Sequence, residues 1–128
     1  MMNAILFINY NSRNILSLEK LIIFNLKNEF NIIFYLLDNA SRDGSDTIIL
    51  ELLKEHDLPY RYYRLPYNIG FARAVNFAFR RLDKDVKYVV FLNNDLVPVR
   101  GIIGRLVDVL EGGGFAGIQG TIMQLLRP

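Results

Sequence analysis

Apolar residues fall along this chain in two kinds of run: short unbroken ones, and longer ones that recur at helical spacing. Ala4 to Ile8 is a short run that stops at the polar Asn9-Tyr10-Asn11-Ser12, which predicts a buried strand opening into a polar loop. Ile15, Leu18, Leu21, Ile22 and Leu26 then repeat with helical period, predicting a helix over 14–27. Asn31 to Leu37, rich in Ile, Phe and Tyr, is a second strand. It ends in Asp38-Asn39-Ala40-Ser41-Arg42-Asp43-Gly44-Ser45, a turn by composition, with Asp43 or Ser45 placed to cap the next helix. Ile48, Ile49, Leu52 and Leu53 give that helix its apolar face.

Tyr60 to Leu65 is a third strand, and its alternation of Arg and Tyr predicts a less buried position. Pro66 and Gly70 bracket a loop, and Phe71 to Leu82 reads as a helix. Lys87 to Leu92 is the most apolar strand, expected at the centre of the sheet, and it ends in Asn93-Asn94-Asp95. Ile102 to Leu110 is a further helix, expected to stop at Gly112-Gly113-Gly114. Phe115 to Ile118 is a candidate last strand. Strands alternating with helices of this length imply an α/β fold, with a mostly parallel sheet covered by helices on both faces. Ligands of such sheets bind beyond the carboxyl ends of the strands. Tyr10-Asn11, Asp38-Asn39 and Asn93-Asn94-Asp95 each follow a predicted strand directly, so they should meet along that edge.

Composition narrows the picture. The 128 residues fit one domain, and a hydrophobic fraction of 52% is enough for a core. A net charge of +2 with scattered basic residues argues against a nucleic-acid partner. The absence of cysteine excludes disulfides, thiolate chemistry and zinc fingers, and is compatible with a reducing cytoplasm. The start Met1-Met2-Asn3-Ala4 lacks the basic region of a signal peptide. Ile15 to Leu26 is too short and too polar to span a bilayer, so the expected location is cytoplasmic, with peripheral membrane contact left open.

Several α/β chemistries do not fit. No Gly-x-Gly-x-x-Gly turn follows the first strand, no Gly-Lys-Ser or Gly-Lys-Thr occurs, and there is no Gly-x-Ser-x-Gly elbow. The acidic pair that a phosphoacceptor receiver domain carries after its first strand is missing. What remains is one carboxylate, Asp95, beside two amides at a strand end. One carboxylate is a poor metal cage, but an adequate one when a diphosphate supplies the other oxygens, as is usual for magnesium and acceptable to manganese. Plainer roles stand beside these. Asp38 could organise its turn, Tyr10 could pack, Gly70 could answer a backbone need, and Asp43 reads as a helix cap. Asn76 stays open between structure and function, and His56 reads as solvated.

Four segments in order resemble one family. Asn9-Tyr10-Asn11-Ser12, Leu37-Asp38-Asn39-Ala40-Ser41-Arg42-Asp43-Gly44-Ser45, Asn68-Ile69-Gly70-Phe71-Ala72-Arg73-Ala74-Val75-Asn76 and Phe91-Leu92-Asn93-Asn94-Asp95-Leu96-Val97-Pro98 are similar to successive motifs of the inverting family 2 glycosyltransferases. The resemblance covers nearly the whole chain. It implies the Rossmann-like nucleotide-binding half of a GT-A fold, truncated before the acceptor-binding half, as one domain over 1–128. It implies a donor site in which Tyr10 stacks on the base and Asn39 or Asp38 bonds its polar edge, with Asn11 and Asn94 beside them. Asn93 would face the ribose, Asp95 would hold magnesium or manganese with the donor diphosphate, and Asn68 and Arg73 would lie near the nucleotide. Asn93 departs from the family's commoner Asp, which places more weight on Asp95.

The reaction implied is sugar transfer from a UDP-, dTDP- or GDP-sugar to an acceptor hydroxyl, with inversion. Lipid-linked and polysaccharide acceptors are both open. No general base is found in these residues, so self-association or a partner chain is expected to supply the acceptor half. The alternatives are a nucleotide-binding module without transfer activity and an inactive remnant.

Overall fold

A computed structural model describes residues 2–15, 23, 25–29, 31–92 and 100–113. Four strands form one sheet: β1 (Met2–Asn9), β2 (Ile32–Asp38), β3 (Tyr60–Arg64) and β4 (Val86–Phe91). Their order is β3-β2-β1-β4, and every pairing is parallel. Three helices connect or follow them: α1 (Ser45–Glu55), α2 (Phe71–Phe79) and α3 (Ile102–Gly113). Arg13–Ile15 is a single 3-10 turn, and Ile23, Asn25 and Leu26 are helical within the longer helix expected over 14–27.

Successive strand residues point to opposite faces, and the core divides accordingly. Ile5, Phe7, Ile32, Phe34 and Leu36 meet Ile23, Leu26, Ile49, Leu53 and Ile103 on one face. Ala4, Leu6, Ile33, Tyr35 and Leu37 meet Ala74 and Ala78 of α2 on the other. β2 is buried at all seven positions, which is why it reads as a continuous apolar run. The alanines let α2 lie close to the sheet. Glu29 closes the start of α3, accepting from the backbone N–H groups of Ile103 and Gly104 at 3.2 Å each.

The structure corrects three expectations. β4 is not central: among the described residues it pairs only with β1, while β1 and β2 are flanked on both sides. Its apolar residues are partly covered, Val90 and Leu92 packing on one side and Val86 and Val89 on the other, and apolar character says nothing about hydrogen-bonding neighbours. α2 ends at Phe79 rather than Leu82, and the chain turns so that Asp83 reaches Tyr35. α3 runs through Gly112 and Gly113, where the last turn tolerates residues that weaken a helix interior. The candidate strand at Phe115 to Ile118 lies outside the described residues. No helix among the described residues is long and apolar enough to cross a membrane.

Candidate functional site at the carboxyl ends of the strands

Parallel register sets the last residues of three strands side by side. Asn9 pairs with Asp38, and Asp38 pairs with Arg64. The row Asn9–Asp38–Arg64 lies over the turn that opens α1. Asn9, Ser12, Asp38, Asn39, Ser41, Ser45 and Asp46 are all buried, so each polar atom there needs a partner.

The partners are present. Asp38 Oδ1 accepts from Asn9 Nδ2 at 3.0 Å and from the Ser41 hydroxyl at 2.6 Å. Asp38 Oδ2 accepts from the Ser41 backbone N–H at 2.8 Å and from Arg64 at 2.9 Å. A carboxylate offers about four lone-pair sites, and here all are occupied. Asn9 Nδ2 also donates to Ser45 Oγ at 3.0 Å, and Asn9 Oδ1 accepts from the Ser12 hydroxyl at 2.5 Å. Arg64 bridges to Asp46 at 2.8 Å and donates to the Ser41 carbonyl at 2.7 Å. Tyr62 donates to the same Asp46 oxygen. Burial pushes the Tyr62 phenol up to about 12, and the Asp46 carboxylate adds to this. The bonds to Asp46 and Tyr62 raise the Arg64 guanidinium above its ordinary value.

The same turn fixes its neighbours. Asn11 donates its backbone N–H to the Ser41 hydroxyl at 2.9 Å and accepts from the Arg42 N–H at 2.8 Å. Asn39 Oδ1 accepts from the Ile69 N–H at 2.9 Å, and its Nδ2 donates to the Gly70 carbonyl at 3.3 Å. Asn39 therefore holds the loop between β3 and α2. Asn68 Oδ1 accepts from the Gly70 N–H at 2.8 Å in that loop. Gly70, at φ 83 and ψ 167, takes a backbone conformation that side chains avoid, which accounts for the glycine before α2.

Neither Asp43 nor Ser45 is the N-cap of α1, and no side chain caps that helix, but Asp43 braces its first residue. Gly44 occupies the N-cap position of α1 in the left-handed conformation. Asp43 Oδ1 accepts from the Ser45 N–H at 3.0 Å and from its hydroxyl at 2.6 Å, while Oδ2 accepts from the Arg13 N–H at 2.9 Å. Slight burial pushes the Asp43 carboxyl up, but these bonds, led by the Ser45 hydroxyl, hold it below the usual range.

The sequence-derived site residues thus fall into three groups. Asp38 and Asn39 are buried and their polar atoms are engaged within the fold, which is the turn-organising alternative for Asp38. Tyr10, Asn11, Asn68 and Arg73 are exposed at this edge or in the first turn of α2, and Tyr10 keeps 49% of its surface open. Asn93, Asn94 and Asp95 lie outside the described residues. Among the described residues no group of three or more His, Cys, Asp or Glu side chains could hold a metal ion. The sequence reading overlooked Asn9, Ser41, Asp46, Tyr62 and Arg64. Period-two spacing would have put Tyr62 and Arg64 on one face of β3, but not beside Asp38.

Comparison with known proteins agrees with this architecture. The chain resembles the crystal structure of TarS from S. aureus with a TM-score of 0.72 at 16% identity, covering 88% of this chain and 20% of that one. It resembles TarS 1-349 in complex with UDP-GlcNAc with a TM-score of 0.73 at 18% identity, covering 98% and 37%. It also resembles the mannosyltransferase PcManGT from Pyrobaculum calidifontis in complex with GDP-Man and Mn2+, with a TM-score of 0.72 at 22% identity, covering 84% and 32%. The chain therefore spans well under half the length of these proteins. No curated protein sequence matches it. The family profile for glycosyl transferase family 2 matches residues 5–125, taking in β1 from Ile5 onward, the other three strands and the whole carboxyl-end network, and the chain belongs to that family.

Proposed function

We propose that these 128 residues form the donor-binding domain of an inverting family 2 glycosyltransferase, taking a nucleoside-diphosphate sugar at the carboxyl edge of the sheet. One observation carries the reading. A buried polar network presses the ends of β1, β2 and β3 into a fixed rim, and leaves Tyr10, Asn11, Asn68 and Arg73 facing solvent from it. A rim pre-ordered before ligand arrives lowers the ordering cost of binding.

In this reading Tyr10 offers its ring to the base, and Asn11 and Asn68 lie within the same rim. Arg73 supplies positive charge near the diphosphate from the first turn of α2, which contains no acidic residue. Asp95 would hold magnesium or manganese together with the diphosphate oxygens, a donor set of hard oxygens suited to either ion, while Asn93 would face the ribose and Asn94 lie beside the nucleotide. The saturated Asp38 does not fit as a ligand. When bound, the ion supplies charge neutralisation for the departing diphosphate. Two solved relatives in complex with nucleotide sugars, one with Mn2+, support this donor class. The reaction so proposed is transfer of the sugar to an acceptor hydroxyl with inversion, in a cytoplasmic enzyme.

Calorimetry with UDP, dTDP and GDP, with manganese and then with chelator, tests the proposal. A nucleotide at a hundred times its Kd should stabilise the fold by about 2.7 kcal/mol, and Asp95→Asn should remove the metal-dependent part. No binding of any nucleoside diphosphate would overturn the reading.

A further inference from the structure

We infer that Arg64 is a positioning residue for the donor site, acting through the Ser41 turn without touching the nucleotide; this rests on the donor-binding reading above.

The argument begins from connectivity. Arg64 is the last residue of β3 and the cation paired with both buried carboxylates, Asp38 at 2.9 Å and Asp46 at 2.8 Å. Its other terminal nitrogen reaches the Ser41 carbonyl at 2.7 Å. Three anchors around one planar guanidinium fix Ser41 in orientation as well as place, which a point charge could not do. Ser41 is where the rim converges. Its hydroxyl donates to Asp38 and accepts from the Asn11 N–H, so the loop carrying Tyr10 hangs on it. Two residues earlier, Asn39 holds Ile69 and Gly70.

Arg64 therefore joins the two loops that present the exposed site residues. Its Nη1 is turned to the two carboxylates and its Nη2 to the Ser41 carbonyl. The side chain is 47% exposed, yet its donors to Asp38, Asp46 and Ser41 are engaged, which separates it from a nucleotide contact. Tyr35, whose phenol is bonded to Asp83 at the other end of the strands, serves as a control. Loss of the strap should loosen both loops together. It should lower affinity in equal proportion for every base, because no base-reading group is removed.

The test compares the full chain with Arg64→Ala, Arg64→Lys and Tyr35→Phe, each held below its own melting temperature. UDP, dTDP and GDP affinities are measured with manganese, and amide hydrogen exchange is followed at Asn11, Arg42 and Ile69. Arg64→Ala should lose about tenfold or more in affinity for each nucleotide the wild type binds, with the ratio between bases unchanged, a factor that corresponds to about 1.4 kcal/mol. Exchange at Asn11, Arg42 and Ile69 should quicken. Arg64→Lys should fall between, and Tyr35→Phe should bind like wild type. Wild-type affinity and wild-type protection in Arg64→Ala would overturn the inference, as would a changed preference among bases, which would make Arg64 a direct contact. If Arg64→Ala does not fold, Arg64→Lys decides by the same two readouts. A wild type that binds no nucleotide strikes the donor reading, while the exchange pattern still decides whether the strap exists.

Discussion

The two ends of this sheet treat polar groups differently. At the amino end, Tyr35 donates to Asp83 at 2.8 Å and accepts from the Asp83 N–H at 2.9 Å, and Arg61 pairs with the same carboxylate at 3.3 Å. That cluster closes on itself around a carboxylate water can still reach. At the carboxyl end, seven polar residues are buried, and they are drawn from β1, β2, α1 and the segments between them. Burying so many polar groups is unfavourable unless each is paired. A fold that needed only stability would use apolar residues there. The contrast teaches that the amino end is built for closure and the carboxyl end for holding loops in place.

The largest expected effect comes from breaking the carboxyl-end network at its centre. Asp38→Ala removes a fully buried acceptor and leaves Asn9 and the Ser41 N–H short of a partner, while Arg64 keeps Asp46. Leaving two buried donors short of an acceptor should lower the unfolding free energy by about 3 kcal/mol, read by urea denaturation. A loss near that of an exposed ion pair would erase the contrast.

At the amino end, Tyr35→Phe should cost less, about 1 kcal/mol, and leave nucleotide affinity unchanged. Burial, with Asp83 adding to it, pushes the Tyr35 phenol up to about 12. The unfolded phenol ionises near 10 and the folded one later, so stability should fall as pH rises from about 10 to 12. Melting curves across that window should be flatter for Tyr35→Phe.

Asp43→Ala should also cost about 1 kcal/mol, the usual loss of a hydrogen-bond acceptor. Its folded carboxyl is held low, so its contribution is present above the unfolded value and fades as acidification passes through the folded one. The variant should lose that acid-side slope while binding nucleotide as wild type does. The smallest effect is a gain. Ala40 sits in the Asp38–Ser45 turn at φ 66, where a Cβ is crowded. Ala40→Gly relieves that strain but loosens the unfolded chain, leaving a net gain of about 0.5 kcal/mol. A loss in denaturation curves would show that the turn carries no strain.

Much of the architecture was legible because burial and hydrogen bonding leave periodic traces. Ile32 to Leu37 read as a strand since both its faces are covered, and Ile49, Leu52 and Leu53 marked the inner face of α1. The polar stops after β1 and β2 located the carboxyl edge before any strand order was known. Within that edge, Tyr10 and Asn68 proved open, whereas Asp38 and Asn39 carry side chains that a sequence cannot show to be engaged. β4 was misplaced for a related reason: apolar content records what covers a strand's faces, and the sheet edge is a matter of hydrogen-bonding neighbours.

By itself, then, the sequence determined the alternation of strands and helices, the parallel α/β class, the turn chemistry around Gly44 and Gly70, and the four motifs of the family. These are local properties, set by side-chain period and backbone preference within a few residues. Only the tertiary structure decided that Asn9, Asp38 and Arg64 form one row, because that row depends on register between strands separated by 29 and 26 residues. Pairing energies across such distances come from packing and hydrogen bonds that do not exist until the sheet is assembled, so they leave no mark on the order of residues.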